Sequence, residues 1–110
     1  MNESFPQLIS TIPENNSKNI SKNTTITLKF NEPVYTSDNG KIIIKNYKNN
    51  NIIEIIKMNS LLIVGSGSNT ITIHLSKSLK EFTHYYVLIS QNCFKNIKNN
   101  FFTGINKALN

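Results

Sequence analysis

Side chains that could act in catalysis are few and lie far apart in the sequence. His74 and His84 are the only histidines, and alternation places His74 on the outer face of its strand. Ser66 lies in the segment Gly65-Ser-Gly-Ser-Asn69, which lacks the strand-turn-helix setting of a nucleophile and the Gly-Lys-Ser/Thr ending of a phosphate loop. Because catalysis needs convergent groups with matched roles, we expect neither an enzyme nor a bound cofactor.

Groups that could bind a metal ion are equally dispersed. A calcium loop gathers several oxygen ligands within about a dozen residues. The six carboxylates instead stand at Glu3, Glu14, Glu32, Asp38, Glu54 and Glu81. Cys93 has no second cysteine with which to pair, and we interpret it as a small buried hydrophobic residue. The sequence predicts no metal site.

The charge of the chain does not by itself indicate a nucleic-acid partner. The 110 residues carry a formal net charge of +6, but every basic residue is Lys, whereas Arg provides the bidentate contacts to bases and phosphates. The counts of 19 Asn, 17 Ile and 12 Lys are typical of an AT-rich genome. We therefore expect no nucleic-acid binding, although a basic nucleic-acid-binding domain remains a minor alternative.

Other classes are excluded by the length and by the apolar pattern. The chain fits the usual size of one domain, and no apolar run approaches the roughly 20 residues of a membrane helix. We expect neither membrane insertion nor a signal peptide in this sequence. The predicted organisation is a flexible N-terminus at 1–7, one domain at 8–105 and a flexible C-terminus at 106–110.

Strict alternation of apolar and polar residues dominates the sequence. Strands are therefore the elements that must position any functional side chains. The expected inward-facing residues are Ile26, Leu28, Phe30, Ile71, Ile73, Leu75, Tyr85, Val87 and Ile89. Short β-branched segments at 8–11, 41–45, 52–56 and 61–64 predict further strands, and residues 92–97 could form a single helical turn. Turn signals separate them at 39–40, 49–51 and 65–69. The pattern predicts an all-β antiparallel sandwich of about seven strands with Greek-key connections.

One spacing is more specific than simple alternation. Leu79, Thr83 and Tyr85 precede an alternating strand in the pattern of a tyrosine corner. In such a corner the Tyr ring fills the edge of the core while its hydroxyl bonds to the upstream backbone. An ordinary core tyrosine is the alternative interpretation.

Several motifs, taken in order, resemble the bacterial immunoglobulin-like domains of S-layer proteins and large surface adhesins. The motifs are Ile12-Pro-Glu-Asn-Asn16, Phe30-Asn-Glu-Pro-Val34, Gly40-Lys-Ile-Ile-Ile44, Asn69-Thr-Ile-Thr-Ile73, Leu79, Tyr85-Tyr-Val-Leu-Ile89, Phe94-Lys-Asn-Ile-Lys-Asn-Asn100 and Phe102-Thr-Gly104-Ile105. The similarity extends from about Leu8 to Ile105. Asn96 and Asn99 stand where family members usually carry Asp and Gly, so a calcium role at this turn is in doubt.

The resemblance implies a non-catalytic structural or adhesive module of the bacterial cell surface or of a secreted protein. Such a module acts as a stiff spacer, and we expect a monomer whose partner is a surface ligand or a neighbouring domain. Within the resemblance Glu32 occupies a recurrent position, where it could pair with a surface Lys or support a Lys–Asn isopeptide crosslink. The plain surface pair is the favoured interpretation.

Specificity in such a module would lie in loops, here 34–39, 47–51 and 65–69. Tyr35 and Tyr47 are the aromatic residues of these loops, and Tyr86 is a further possible contact. A carbohydrate-binding sandwich is the main alternative function, and it predicts that Tyr47 and Tyr86 are exposed on one sheet face.

Overall fold

The computed structural model describes residues 5–12, 25–76 and 85–106. Its eight strands are β1 (Leu8–Ile12), β2 (Ile26–Thr36), β3 (Lys41–Asn46), β4 (Ile52–Lys57), β5 (Ile63–Val64), β6 (Ser68–Ile73), β7 (Tyr85–Ile89) and β8 (Phe94–Lys95). Every element in these three ranges is a strand, in agreement with the abundance of β-branched residues. None of the described segments could cross a membrane as a helix.

The strands form two antiparallel sheets packed as a sandwich. The larger sheet has the order β1-β2-β6-β5, with β8 paired to the far end of β2, and the smaller sheet has the order β4-β3-β7. Consecutive strands change sheets between β2 and β3, between β4 and β5, between β6 and β7 and between β7 and β8. This order corresponds to strands A-B-E-D facing C′-C-F of an immunoglobulin sandwich, so the predicted fold class is confirmed.

Alternation in the sequence sets the register and fills the core. Leu28 pairs with Ile71 and Ile26 with Ile73, so the inward sides of β2 and β6 coincide. The buried hydrophobic cluster contains all the residues expected to face inward except Val87 and Leu75, which are partly buried against it. From the smaller sheet it includes Ile42, Ile44 and Ile56.

Two local predictions were wrong. Residues 92–97 form no helical turn; Phe94 and Lys95 are instead the strand β8, which pairs with Thr36 and Tyr35. The expected loop at 34–39 is strand as far as Thr36. Both differences have one cause: β2 continues past its pairing with β1, and its free backbone groups take β8 as a new partner.

The first and last described segments run in the same direction through the sandwich. Leu8 pairs with Phe30, and β1 then runs antiparallel to β2. Ile105 forms an antiparallel bridge with Ile89, the last residue of β7. Since β2 and β7 both run toward the end of the sandwich that contains the β2–β3 turn, the chain runs away from that end at both Leu8 and Ile105. We call it the upper end.

Candidate functional site

The potential catalytic side chains that the structure describes do not converge. His74 is exposed, and the Ser66 hydroxyl accepts a hydrogen bond from the backbone N–H of Thr36 at 3.0 Å. His84 lies outside the described residues. Within 5–12, 25–76 and 85–106, no three His, Cys, Asp or Glu side chains are placed to hold a metal ion. Of the described side chains, Ser66 precedes the first residue of β6 and His74 follows its last, so these two are separate features.

The motif Phe30-Asn-Glu-Pro-Val34 forms a bulge in the middle of β2. Lys29 pairs with Thr70 but Val34 pairs with Ser68, so β2 has three more residues between these pairs than β6 has. Pro33 has no N–H to donate, and a bulge is one of the few strand positions that tolerate this loss. Both ends of the bulge are anchored, since Phe30 and Val34 are fully buried.

Phe30 is the centre of an aromatic cluster beneath the upper end. Its ring centroid lies 5.4 Å from that of Phe94 and 5.2 Å from that of Phe102, the second pair meeting edge to face. Such geometry adds about 0.5–1.5 kcal/mol per pair to the burial energy. The cluster fastens the segment after β7 to the bulge in β2.

Asn96 organises the turn above this cluster. Its side-chain oxygen accepts from the backbone N–H groups of Lys98 and Asn100, each at 3.0 Å, and Asn99 has the left-handed φ of 65°. The Asn96 Nδ2 donates to the Glu32 carboxylate at 3.4 Å. The recurrent Glu32 thus contacts an amide, and sequence reasoning did not identify Asn96 as its partner. An Asp at position 96 could not donate this bond while ionised.

Cys93 lies at the junction between the two sheets. Its sulfur is 3.3 Å from the Ser90 hydroxyl, and a Cβ atom at Gly40 would lie 2.6 Å from it. Burial raises the pKa of the Cys93 thiol, an effect that hydrogen bonds from its surroundings only partly oppose. The interpretation of Cys93 as a buried hydrophobic residue is confirmed.

Gly104 permits the last described segment to lie against β7. Its φ is +89°, and a Cβ atom there would stand 2.4 Å from the carbonyl oxygen of Ile89. The two backbone hydrogen bonds between Ile89 and Ile105 follow immediately, at 2.9 and 2.8 Å. The close approach of two backbones explains why glycine occupies this position.

The tyrosine corner is described only in part. Tyr85 is buried as the first residue of β7 and belongs to the core, as expected. Leu79 and Thr83 lie outside the described residues, so the corner itself stays a prediction.

The tyrosines proposed as contacts differ in accessibility. Tyr35 is partly exposed beside Gly67, and Tyr47 is half-buried in the β3–β4 turn. Tyr86 is not exposed as the carbohydrate-binding alternative requires, because only 6% of its surface is accessible. Its hydroxyl donates to Asn50 at 2.8 Å, and its ring meets Tyr47 edge to face at 6.0 Å. Tyr86 therefore fastens the β3–β4 turn to the sheet.

Glu54 links the two sheets through hydrogen bonds, a role that the sequence analysis did not predict. It pairs with the core residue Ile44 in the register of β3 and β4, and its side chain is only 7% exposed. Its carboxylate accepts bonds from the backbone N–H and the hydroxyl of Ser76, just after β6. The alternation of Ile52-Ile-Glu-Ile-Ile56 was the available signal, since it places Glu54 on the same side as Ile56.

Comparison with known proteins agrees with this architecture. No curated protein and no solved structure matches the chain significantly. The model of the bacterial Ig-like domain family, however, matches residues 2–107, almost the whole chain. The sandwich, its strand order and this match lead to one conclusion: the chain belongs to the family of bacterial Ig-like domains.

Proposed function

We propose that the protein is a stiff, non-catalytic spacer module of a bacterial surface or secreted protein, of the kind found in S-layer proteins and adhesins. The observation that carries this proposal is the shared direction of the chain at Leu8 and Ile105. A module whose entering and leaving segments run the same way can be joined to others in series, and the longest dimension of this module is 46 Å.

The contacts at the upper end support stiffness. The Ser90 hydroxyl bridges to the backbone of Lys41 at both its N–H and its carbonyl, at 2.8 and 3.1 Å. Ser37 donates its N–H to the Cys93 carbonyl at 2.9 Å, and its hydroxyl donates to the carbonyl of Asn92. The Ser90 bonds lie within the smaller sheet, and the Ser37 bonds hold the β2–β3 connection against the chain just before β8, so together they restrain the short connections that cross between the sheets.

The loops would then present contacts at the ends of the spacer. The β3–β4 turn holds its shape through Tyr86 and Asn50, and the β5–β6 turn holds its shape through the Ser68 hydroxyl, which donates to the Gly65 carbonyl at 2.8 Å. The burial of Tyr86 weakens the carbohydrate-binding alternative, because that function needs a row of exposed rings.

Single-molecule pulling tests the spacer directly. One copy is held by handles at its two ends, and we expect a single all-or-none rupture. The length gained should be roughly 300–400 Å, since each extended residue spans about 3.3–3.6 Å. Gradual lengthening at low force without a discrete rupture would show that the module is no mechanical element.

A further inference from the structure

The outer face of the smaller sheet combines aliphatic and lysine side chains. Across the three strands, Ile55, Ile43 and Leu88 form one register row, and Lys57 and Lys41 form the row above it. The row below contains Ile52 and Lys45 beside Tyr86. We call this surface the lysine face, defined by Lys41, Ile43, Lys45, Ile52, Ile55, Lys57 and Leu88.

The apolar residues of the lysine face are accessible. Ile52 is 55% exposed and Ile55 is 47% exposed, while Ile43 and Leu88 are half-buried in the sheet. Adjoining aliphatic side chains that remain in water indicate an interaction surface when they form one patch.

The outer face of the larger sheet provides an internal comparison. Thr27 pairs there with Thr72, and Lys29 pairs with Thr70. Its central strands thus expose hydroxyl groups and one ammonium, as expected for a face that only meets water. At the edge of the larger sheet Val64 pairs with Thr72 and is 45% exposed, so the two outer faces differ in their central strands: β2 and β6 carry Thr and Lys, whereas β3 carries Ile43.

The lysine face also has an unbalanced charge. Within the described strands β3, β4 and β7, the only carboxylate is that of Glu54, and its side chain is bound to Ser76 on the inner side. Lys41, Lys45 and Lys57 therefore surround the aliphatic row without an acidic residue from these strands.

A groove continues the face beyond β7. It has a volume of about 400 Å³ and lies between Lys41, Ile43 and Leu88 on one side and Gln91, Thr103 and Asn106 on the other. Its polar side chains can accept and donate hydrogen bonds to a backbone, and its aliphatic wall continues from Ile43 and Leu88.

We propose that the lysine face binds an acidic protein segment in which carboxylates alternate with aliphatic side chains. The aliphatic row and the groove take the apolar side chains, and the three lysines pair with the carboxylates. A second copy of the chain is a poor occupant, because a two-fold contact would bring lysines against lysines. A nucleic acid would leave Ile52 and Ile55 without apolar contacts. This binding role goes beyond the spacer role and is independent of it.

A synthetic peptide of about twelve residues with alternating Glu and Val provides the probe, since alternate side chains of an extended strand point the same way. Fluorescence anisotropy measures its binding to the full chain, and amide chemical shifts locate it. We expect saturable binding with shift changes concentrated in β3, β4 and β7. Peptides that alternate Lys with Val, or Glu with Ser, should bind at least about tenfold more weakly.

Variants of the face and one matched control complete the test. Lys41→Glu combined with Lys57→Glu should weaken binding at least about tenfold, and Ile55→Ser should weaken it several-fold although it removes no charge. Ile55 is half-exposed, so this variant should fold normally. Lys29→Glu changes a lysine on the opposite face and should leave the affinity unchanged.

Other results would overturn the proposal. The proposal would be contradicted if the Glu-Val peptide failed to bind, if Lys29→Glu lost as much affinity as the Lys41→Glu and Lys57→Glu double variant, or if the shift changes centred on β2 and β6. Concentration-dependent dimers abolished by Ile55→Ser would identify a second copy as the occupant instead. If an oligonucleotide or anionic vesicles bound more strongly than the peptide, a nucleic acid or a membrane surface would be identified as the occupant, and the proposal of an acidic segment would be wrong.

Discussion

The Glu54 carboxylate accepts the backbone N–H of Ser76 at 3.0 Å and the Ser76 hydroxyl at 2.5 Å. Glu54 belongs to the smaller sheet, whereas Ser76 follows the last residues of β6 in the larger one. This pair therefore joins the two sheets through a carboxyl group that is largely removed from water.

Replacing Glu54 with Gln should lower the free energy of unfolding by about 1–3 kcal/mol, because the amide places a donor where the carboxylate accepted. Urea unfolding measures the change. Lys57→Gln, at an exposed position of the same strand, is the control and should change stability by no more than about 0.5 kcal/mol. Equal losses of stability in the two variants would contradict the role of Glu54 in linking the sheets.

Replacing two glycines with alanine can distinguish the stability lost through an unfavourable backbone conformation from the stability lost through steric contact. Gly67 and Gly104 have similar φ values of +94° and +89°, but a Cβ atom would meet only a Tyr35 ring carbon at 3.5 Å in the first case. In the second it would meet the Ile89 carbonyl oxygen at 2.4 Å.

Gly67→Ala should therefore cost about 1–2 kcal/mol for the left-handed conformation alone. Gly104→Ala should cost clearly more, because the chain must also move away from β7. Thermal and urea unfolding of both variants test this difference, and equal losses of stability would show that the segment around Gly104 does not lie against Ile89.

A negative charge at position 96 should lower the stability of the fold, because it would lie beside the Glu32 carboxylate. Asn96→Asp keeps the acceptor oxygen for Lys98 and Asn100 but replaces the donor toward Glu32 with a second carboxylate. We expect a loss of stability of about 1–3 kcal/mol at neutral pH, because a second carboxylate replaces the amide that donated to Glu32.

Combining Asn96→Asp with Glu32→Gln should restore most of the lost stability, since the Gln amide can donate to the new carboxylate. Urea unfolding curves of the single and double variants at neutral pH measure the coupling. Additive effects of the two substitutions would mean that residues 32 and 96 do not interact.

Cys93 should react slowly with a thiol reagent in the folded protein. It is fully buried, and its raised pKa leaves little thiolate near neutral pH. A group with a raised folded pKa favours folding below its unfolded pKa, and this contribution is lost as the pH rises through the folded pKa. Cys93→Ala should therefore make stability less sensitive to pH above about 9.

Colorimetric thiol titration with and without urea measures the reactivity. We expect the native rate to be lower by at least about a hundredfold, because reaction requires opening of the junction beside Gly40. Comparable rates in folded and unfolded protein would show that the thiol is accessible.

Alternation of residue types determined most of the core in advance, because Ile26, Leu28 and Phe30 occupy every second position of one strand. The pairing of β8 with β2 brings together Tyr35 and Lys95, which lie far apart in the sequence, so no local pattern could predict it. The same holds for Asn96 and Glu32, and for Tyr86, whose burial comes from the neighbouring turn. Local periodicity shows which side of a strand faces inward, but it does not show what covers the other side.

Small-angle scattering from two copies joined in tandem tests the central claim most directly. If the chain enters and leaves in one direction along the sandwich, the pair should be rod-like, with a maximum dimension close to twice the 46 Å axis of one copy. A compact pair lying side by side, with a maximum dimension near that of a single copy, would contradict the role of this domain as a stiff spacer.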